Sequence, residues 1–256
     1  MVRPHTSHAP SPHWGAVSEK TSARPRNEDR YLLRPETDLV GIADGLGGHG
    51  DGDVASRIAA EETLGWASER RVESLYTMEA AAGELQRRIM RGYEDAVRRD
   101  GSSPDLGSTL SFALRLASGA FGVFHLGDSW IFHVRSSGRV EPWTLPQNEA
   151  FRAQRRGRCT FAEAFARSGH LVEGCCSLLP DHWRPEVHSF VADPGDVLVS
   201  ASDGLEHYGD WADLEALLSG FAGALPEALD RIRAFALSDR AQDNVTVAAL
   251  QLGPGH

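Results

Sequence analysis

Four aspartates stand at the edges of apolar runs, three of them next to a glycine. Asp44 closes "LVGIAD", Asp128 closes "VFHLGD", Asp203 closes "VLVSASD", and Asp243 immediately precedes "NVTVAAL". Any one of them reads as a turn residue or a helix cap. Four in the same setting point to a shared role, because strands of one core can bring their ends together. Carboxylates gathered in this way repel, and each drives its neighbours toward protonation. A hard divalent cation reverses that penalty. Oxygen donors without His or Cys ligand spacing favour Mg²⁺ or Mn²⁺ over zinc. Glycine beside the acid lets a backbone carbonyl or a water reach such an ion without a side-chain clash.

Two further stretches carry chemistry. "RPRNEDRY" places Arg24 upstream of Glu28 and Asp29 at the mouth of a strand. The planar guanidinium fork suits a phosphate, although an arginine near acids is also an ordinary surface ion pair. "GLGGHGDGD" holds His49 inside a glycine stretch, available for proton transfer near neutral pH. The same stretch lacks the Lys-Ser/Thr of a nucleotide-phosphate loop, and it lacks the spacing of a dinucleotide fingerprint.

The elements that must position these residues are mostly strands. Runs at 29–33 and 38–44 are followed by helical patterns at 53–68 and 77–99. In the second helix Met78, Ala81, Leu85, Ile89, Ala96 and Val97 form an apolar stripe, which reads as core. Strands at 108–117, 119–129 and 130–144 follow, with "SGA" and "SSGR" as hairpin turns. The alternation of Leu110, Phe112, Leu114 and Leu116 is that of a half-buried strand. These features predict an antiparallel meander. Residues 145–184 are Arg-rich and helical in patches, and read as an insertion or subdomain lying over the sheet. Strands at 186–192 and 196–204, helices near 210–218 and 226–238, and a strand at 244–252 complete the chain. The fold class expected is α+β: an antiparallel β-sandwich flanked by helices on both faces, with a small flap subdomain.

The 256 residues fit one large domain or two small ones and are ample for a sizeable core. Acids outnumber Lys and Arg 36 to 26, for a net charge of −10, which argues against a nucleic-acid-binding surface. Lys20 is the sole lysine, a composition effect rather than a functional one. The cysteines are Cys159 and the adjacent Cys175 and Cys176, without disulfide-framework or CxxC spacing. They imply a reducing compartment, and the adjacent pair is expected to be two small buried side chains. Residues 1–13 have no secretory apolar region and read as a disordered tail, and no run is long enough for a membrane span. A cytoplasmic protein with no membrane partner is expected.

Taken in order, these stretches resemble the metal-dependent serine/threonine protein phosphatases of type 2C, the PPM family, in its bacterial form. "RPRNED", "ADGLGGHGDGDVAS", "GSTL", "HLGDSWIFHVRSSGRV", "LVSASDGL" and "DNVTV" carry the likeness, over about residues 14–252. The resemblance implies one catalytic domain over 14–256 that hydrolyses phosphoserine and phosphothreonine through a metal-bridged water. It implies two Mn²⁺ or Mg²⁺ ions held by Asp44, the Gly45 carbonyl, Asp203 and Asp243, with Glu28 and Asp29 acting through metal-bound waters. Arg24 would clamp the phosphate, His49 would protonate the leaving oxygen, and Asp128 with Asp203 would hold a weaker third ion.

The partner implied is a phosphorylated protein, such as a Ser/Thr kinase or its targets, and a monomer is expected. Three places depart from the family pattern. Trp130 stands where an arginine is usual and is expected to narrow access to the third ion, "LPQNEA" follows Thr144, and "LVEGCCSLL" precedes the strand at 186. All three lie away from the expected ligands. The competing readings are a catalytically weak regulatory or binding module, and a hydrolase of a small phosphorylated metabolite.

Overall fold

The central strands of this protein are buried almost along their whole length, because they are covered on both faces. The computed structural model describes residues 14–46, 51–69, 72–169 and 172–253. One antiparallel sheet has the order β1 (Trp14–Glu19), β12 (Val245–Gln251), β11 (Val197–Ala201), β7 (Trp130–Val134), β8 (Val140–Pro142). The other runs β10 (Glu186–Phe190), β6 (Phe121–Leu126), β5 (Leu110–Arg115), β3 (Leu39–Asp44), β2 (Asp29–Arg34). The sheets pack face to face through Val40, Phe121, Val123, Ile131, Leu198 and Leu250.

Helices α1 (Gly52–Glu69) and α2 (Leu75–Asp100) cover the outer face of the second sheet, with Trp66, Leu85 and Ile89 against Phe112 and Phe124. The Tyr93 hydroxyl donates to the Ala55 carbonyl at 3.1 Å and ties the two helices together. Four shorter helices cover the first sheet: α3 (Glu149–Arg155), α4 (Phe161–Ala166), α5 (Trp211–Ser219) and α6 (Leu225–Ala236). The result is the expected sandwich with helices on both faces. Among the described residues no helix is long and apolar enough to cross a membrane.

Three expectations change. The strand around Leu110 is not half-buried: Ser111 and Ala113, on its other face, are buried as fully as the leucines. The alternation separates two cores rather than core from water. The meander is also broken, because β6 pairs in one sheet and β7 in the other, so the chain crosses between sheets at residues 127–129. In α2, Ala82 and Tyr93 join the buried stripe, whereas Ala81 and Val97 are only half-buried against it.

The helical patches expected in 145–184 are two short capped helices among the described residues. Asn148 caps α3, its Oδ1 accepting from the Phe151 N–H at 3.1 Å. Thr160 and Glu163 form a reciprocal cap on α4. A strand that sequence reading missed, β9 (Cys176–Ser177), pairs with β4 (Gly107–Ser108). Two residues are too few for a periodic signal. Cys176 is fully buried and Cys175 nearly so, as expected of the pair.

Candidate active site

Strand direction brings the four aspartates to one edge of the sandwich. β3 and β6 are each antiparallel to β5, so their C-terminal ends, with Asp44 and Asp128, lie on the same side. β11 is antiparallel to β12, so Asp203 after the one meets Asp243 before the other. All four, with Arg24 and Glu28, line a single cavity of about 670 Å³.

The backbone of Asp44 is fixed by β4 and the residue after it. Its N–H donates to Thr109 Oγ1 at 3.0 Å, and its carbonyl accepts from the Thr109 N–H at 2.8 Å and Ser108 Oγ at 3.1 Å. With the main chain held, the carboxylate is left to the cavity. The Gly45 N–H donates to the Glu28 carbonyl at 3.0 Å, which binds the Arg24–Glu28 loop to the end of β3. A Cβ on Gly45 would lie 2.0 Å from the Gly52 carbonyl oxygen. The glycine is therefore demanded by close backbone packing of the start of α1, and not only by access for a ligand as the sequence suggests.

A second close approach sets Asp203 against Asp243. Asp203 opens a 3₁₀ turn, Asp203–Tyr208, and a Cβ on Gly204 would lie 1.9 Å from the Asn244 carbonyl oxygen. The loop of Asn244 is fixed in turn, its Nδ2 donating to the Arg26 carbonyl at 3.0 Å. Asp243 accepts from the Asn244 N–H at 2.7 Å and forms an ion pair with Arg24.

Asp29 sits across the β2–β3 ladder from Asp44 and is 2% exposed. Its Oδ2 accepts from Ser202 Oγ at 2.9 Å, and Ser202 Oγ accepts from the Thr246 N–H at 3.0 Å. Thr109, Ser202, Asn244 and Thr246 thus support the site. All four fall inside quoted motifs, but nothing in their spacing announces the contacts.

The electrostatics follow from burial and from mutual repulsion. Burial raises Asp44 well above the usual carboxylate range, helped by Asp29, Asp203, Asp128 and Asp243. Burial, Asp203 and Glu206 do the same to Asp128, which is 4% exposed. Asp29 is pushed up to about 6, chiefly by burial. Burial and Asp203 raise Asp243, while Arg24 opposes them. For Arg24, the cost of burial is outweighed by Asp243, so its pKa rises.

One arginine does not balance this many acids. Among the described residues no three Asp, Glu, His or Cys side chains already form a closed ligand set for a metal. Yet the donors are all oxygen, and the excess negative charge is buried, which is the setting a Mg²⁺- or Mn²⁺-type ion relieves. The residues fit such ions.

Asp128 and Asp203 also line a second cavity of about 450 Å³, together with Glu206, His207 and Asp210. Trp130 does not narrow it. The indole is 1% exposed, stacked on Phe132 and edge-on to Phe151, and its Nε1–H donates to Glu206 Oε1 at 2.8 Å. The side chain that replaces the expected arginine thus anchors the turn after Asp203 from behind. His49 lies outside the described residues.

With this geometry in place, the family can be assigned. A family model for Protein phosphatase 2C matches residues 21–236. The chain belongs to the protein phosphatase 2C family. It is 28% identical to the serine/threonine protein phosphatase PstP of Mycobacterium tuberculosis over 91% of this chain, and it spans only 44% of that relative's length. Among solved structures, the serine/threonine phosphatase PstP/Ppp of Mycobacterium tuberculosis is similar with a TM-score of 0.78 and 25% identity, over 94% of this chain and 98% of that one. The catalytic domain of the phosphatase PstP in complex with two manganese ions is similar at a TM-score of 0.72 and 25% identity, over 93% and 97% of the two chains. The sandwich of this phosphatase 2C family member is thus that of solved bacterial phosphatases.

Proposed function

We propose that this protein hydrolyses phosphoserine and phosphothreonine in protein substrates with the help of Mn²⁺ or Mg²⁺. The observation that supports this most is the meeting of Asp44, Asp128, Asp203 and Asp243 with Arg24 on one cavity, in a chain of this family. Asp44, the Gly45 carbonyl, Asp203 and Asp243 would hold two ions, with Asp128 and Asp203 serving a weaker third. Bound there, the ions supply Lewis acidity to the phosphoryl oxygens and to an attacking water.

The rest is the work of the chain. Glu28 and Asp29 orient the water shell, Asp29 from a position locked by Ser202. Arg24 reaches the same carboxylate that a cation would claim. With Asp243 engaged, the guanidinium fork is available to two phosphoryl oxygens. His49 is assigned by the resemblance alone to protonate the leaving oxygen. We also read 14–256 as one catalytic unit with 145–184 as its flap, acting as a monomer in the cytoplasm. A Ser/Thr kinase or its targets would be the substrates.

The test is phosphate release from a phosphothreonine peptide with Mn²⁺, with excess chelator, and with Mn²⁺ restored. Turnover should vanish in chelator and return with metal. Full turnover in chelator would refute the reading.

A further inference from the structure

The large cavity is divided by chemistry. Besides the acids and Arg24, its lining includes an apolar set that forms a wall: Leu46, Leu106, Val172, Cys175, Leu178 and Leu179. A phosphoryl group and its ions have no use for that wall and fill a minor part of about 670 Å³. Three separate segments build it: the loop after β3, the run into β4, and the stretch around β9. That stretch is one of the places where the sequence departs from the family pattern.

The wall is anchored rather than loosely draped. β9 pairs with β4 through Gly107↔Ser177 and Ser108↔Cys176. The Cys175 N–H donates to the His182 carbonyl at 3.0 Å, and the Leu179 N–H donates to Ser177 Oγ at 3.2 Å. Leu178 packs partly into the core beneath α2, while Leu179 is 58% exposed at the rim. An exposed leucine continuous with a chemically active cavity gains by being covered.

Charge narrows what covers it. Asp105 and Glu28 line the cavity beside this wall, so an acidic neighbour of the phosphorylated residue meets like charge. A lysine or arginine would be drawn to those acids and away from the leucines, against which it would lose hydration. His182, the wall's basic residue, is already engaged, its Nδ1 3.1 Å from Ser177 Oγ.

We propose that this wall is a specificity subsite for an apolar side chain adjacent to the phosphorylated residue of a peptide substrate. The proposal rests on the phosphatase reading above and adds the sequence class it selects.

The experiment compares kcat/KM in Mn²⁺ for four phosphothreonine peptides that differ only in the residues on both sides of the phosphothreonine: Gly, Leu, Lys or Glu. Half-burying one leucine side chain raises kcat/KM about tenfold over the Gly peptide. The Glu peptide falls below it. Leu179→Ser, at an exposed position, and Val172→Ser remove the Leu advantage and leave the Gly peptide unchanged. Equal kcat/KM for all four peptides, or a Leu advantage that survives both variants, overturns the subsite and leaves the phosphatase reading standing. If no peptide is turned over, the phosphatase reading fails. Equilibrium binding of labelled peptides to the Mn²⁺-treated protein then decides the wall: tighter binding of the Leu peptide supports it, and equal Kd values overturn it.

Discussion

His125 gives the protein an acid-sensitive joint away from the carboxylates. The ring is fully buried in β6, with Nε2 3.0 Å from the Leu145 carbonyl and Nδ1 2.8 Å from Ser111 Oγ. A carbonyl only accepts, so Nε2 carries the proton and Nδ1 accepts from the serine hydroxyl. That neutral form joins the sheet to the start of the 145–184 segment. Burial lowers the pKa from 6.5 to about 4; Glu186 and the Leu145 carbonyl oppose the shift, while Arg155 and His188 favour it.

A histidine with a depressed folded pKa binds fewer protons in the native state than in the unfolded one. Stability is therefore present above pH 6.5 and declines as pH falls toward 4. The loss works out to about 2 kcal/mol at pH 5 and about 3 kcal/mol at pH 4. Urea unfolding at pH 7, 5 and 4 measures it, with His125→Gln as reference because Gln keeps a donor and an acceptor but does not titrate. Carboxylates contribute to both proteins and cancel in the difference. The wild type should lose its advantage over His125→Gln between pH 7 and 4 by about 3 kcal/mol. Parallel curves would refute the reasoning.

Asp44→Asn should lower phosphopeptide turnover at least about 100-fold if Asp44 serves the metals. The same substitution should raise the Tm of the metal-free protein at pH 7, because a carboxylate whose pKa burial and repulsion raise weakens the fold once ionised; an unchanged or lower Tm would contradict the repulsion. Gly204→Ala should cost about 3 kcal/mol in unfolding free energy, since its Cβ would sit 1.9 Å from the Asn244 carbonyl oxygen. It should also weaken Mn²⁺ binding measured by calorimetry, and native-like affinity and stability together would show that the two loops yield without effect.

Much of the site was legible because its signal is local. An apolar run that stops at Asp beside Gly marks a strand end, and the ends of β3, β6 and β11 fall within two residues of Asp44, Asp128 and Asp203. The long helices were legible for the same reason, through stripes such as Met78, Leu85 and Ile89. Trp130 was misread. Asp128, two residues before it, lines the cavity, but the indole packs under α3 and α4, and only packing shows Glu206 at the other end of its N–H. β9 and the apolar wall were invisible, since two-residue pairing and a wall drawn from three segments leave no periodic trace.

By itself, the sequence determined the chemical inventory and the local geometry: acids at strand ends, glycines beside them, an acidic balance of 36 to 26, and an α+β pattern. Those properties arise from steric and periodic rules that act over a few residues. The tertiary structure alone decided which strand joins which sheet, that Gly45 and Gly204 yield their space to backbone from α1 and from Asn244, and that buried acids raise one another's pKa values. Such facts depend on contacts between residues far apart in the chain, as in Arg24 and Asp243, 219 positions apart. Packing and charge couple groups by distance in space, and no spacing along the chain encodes that distance.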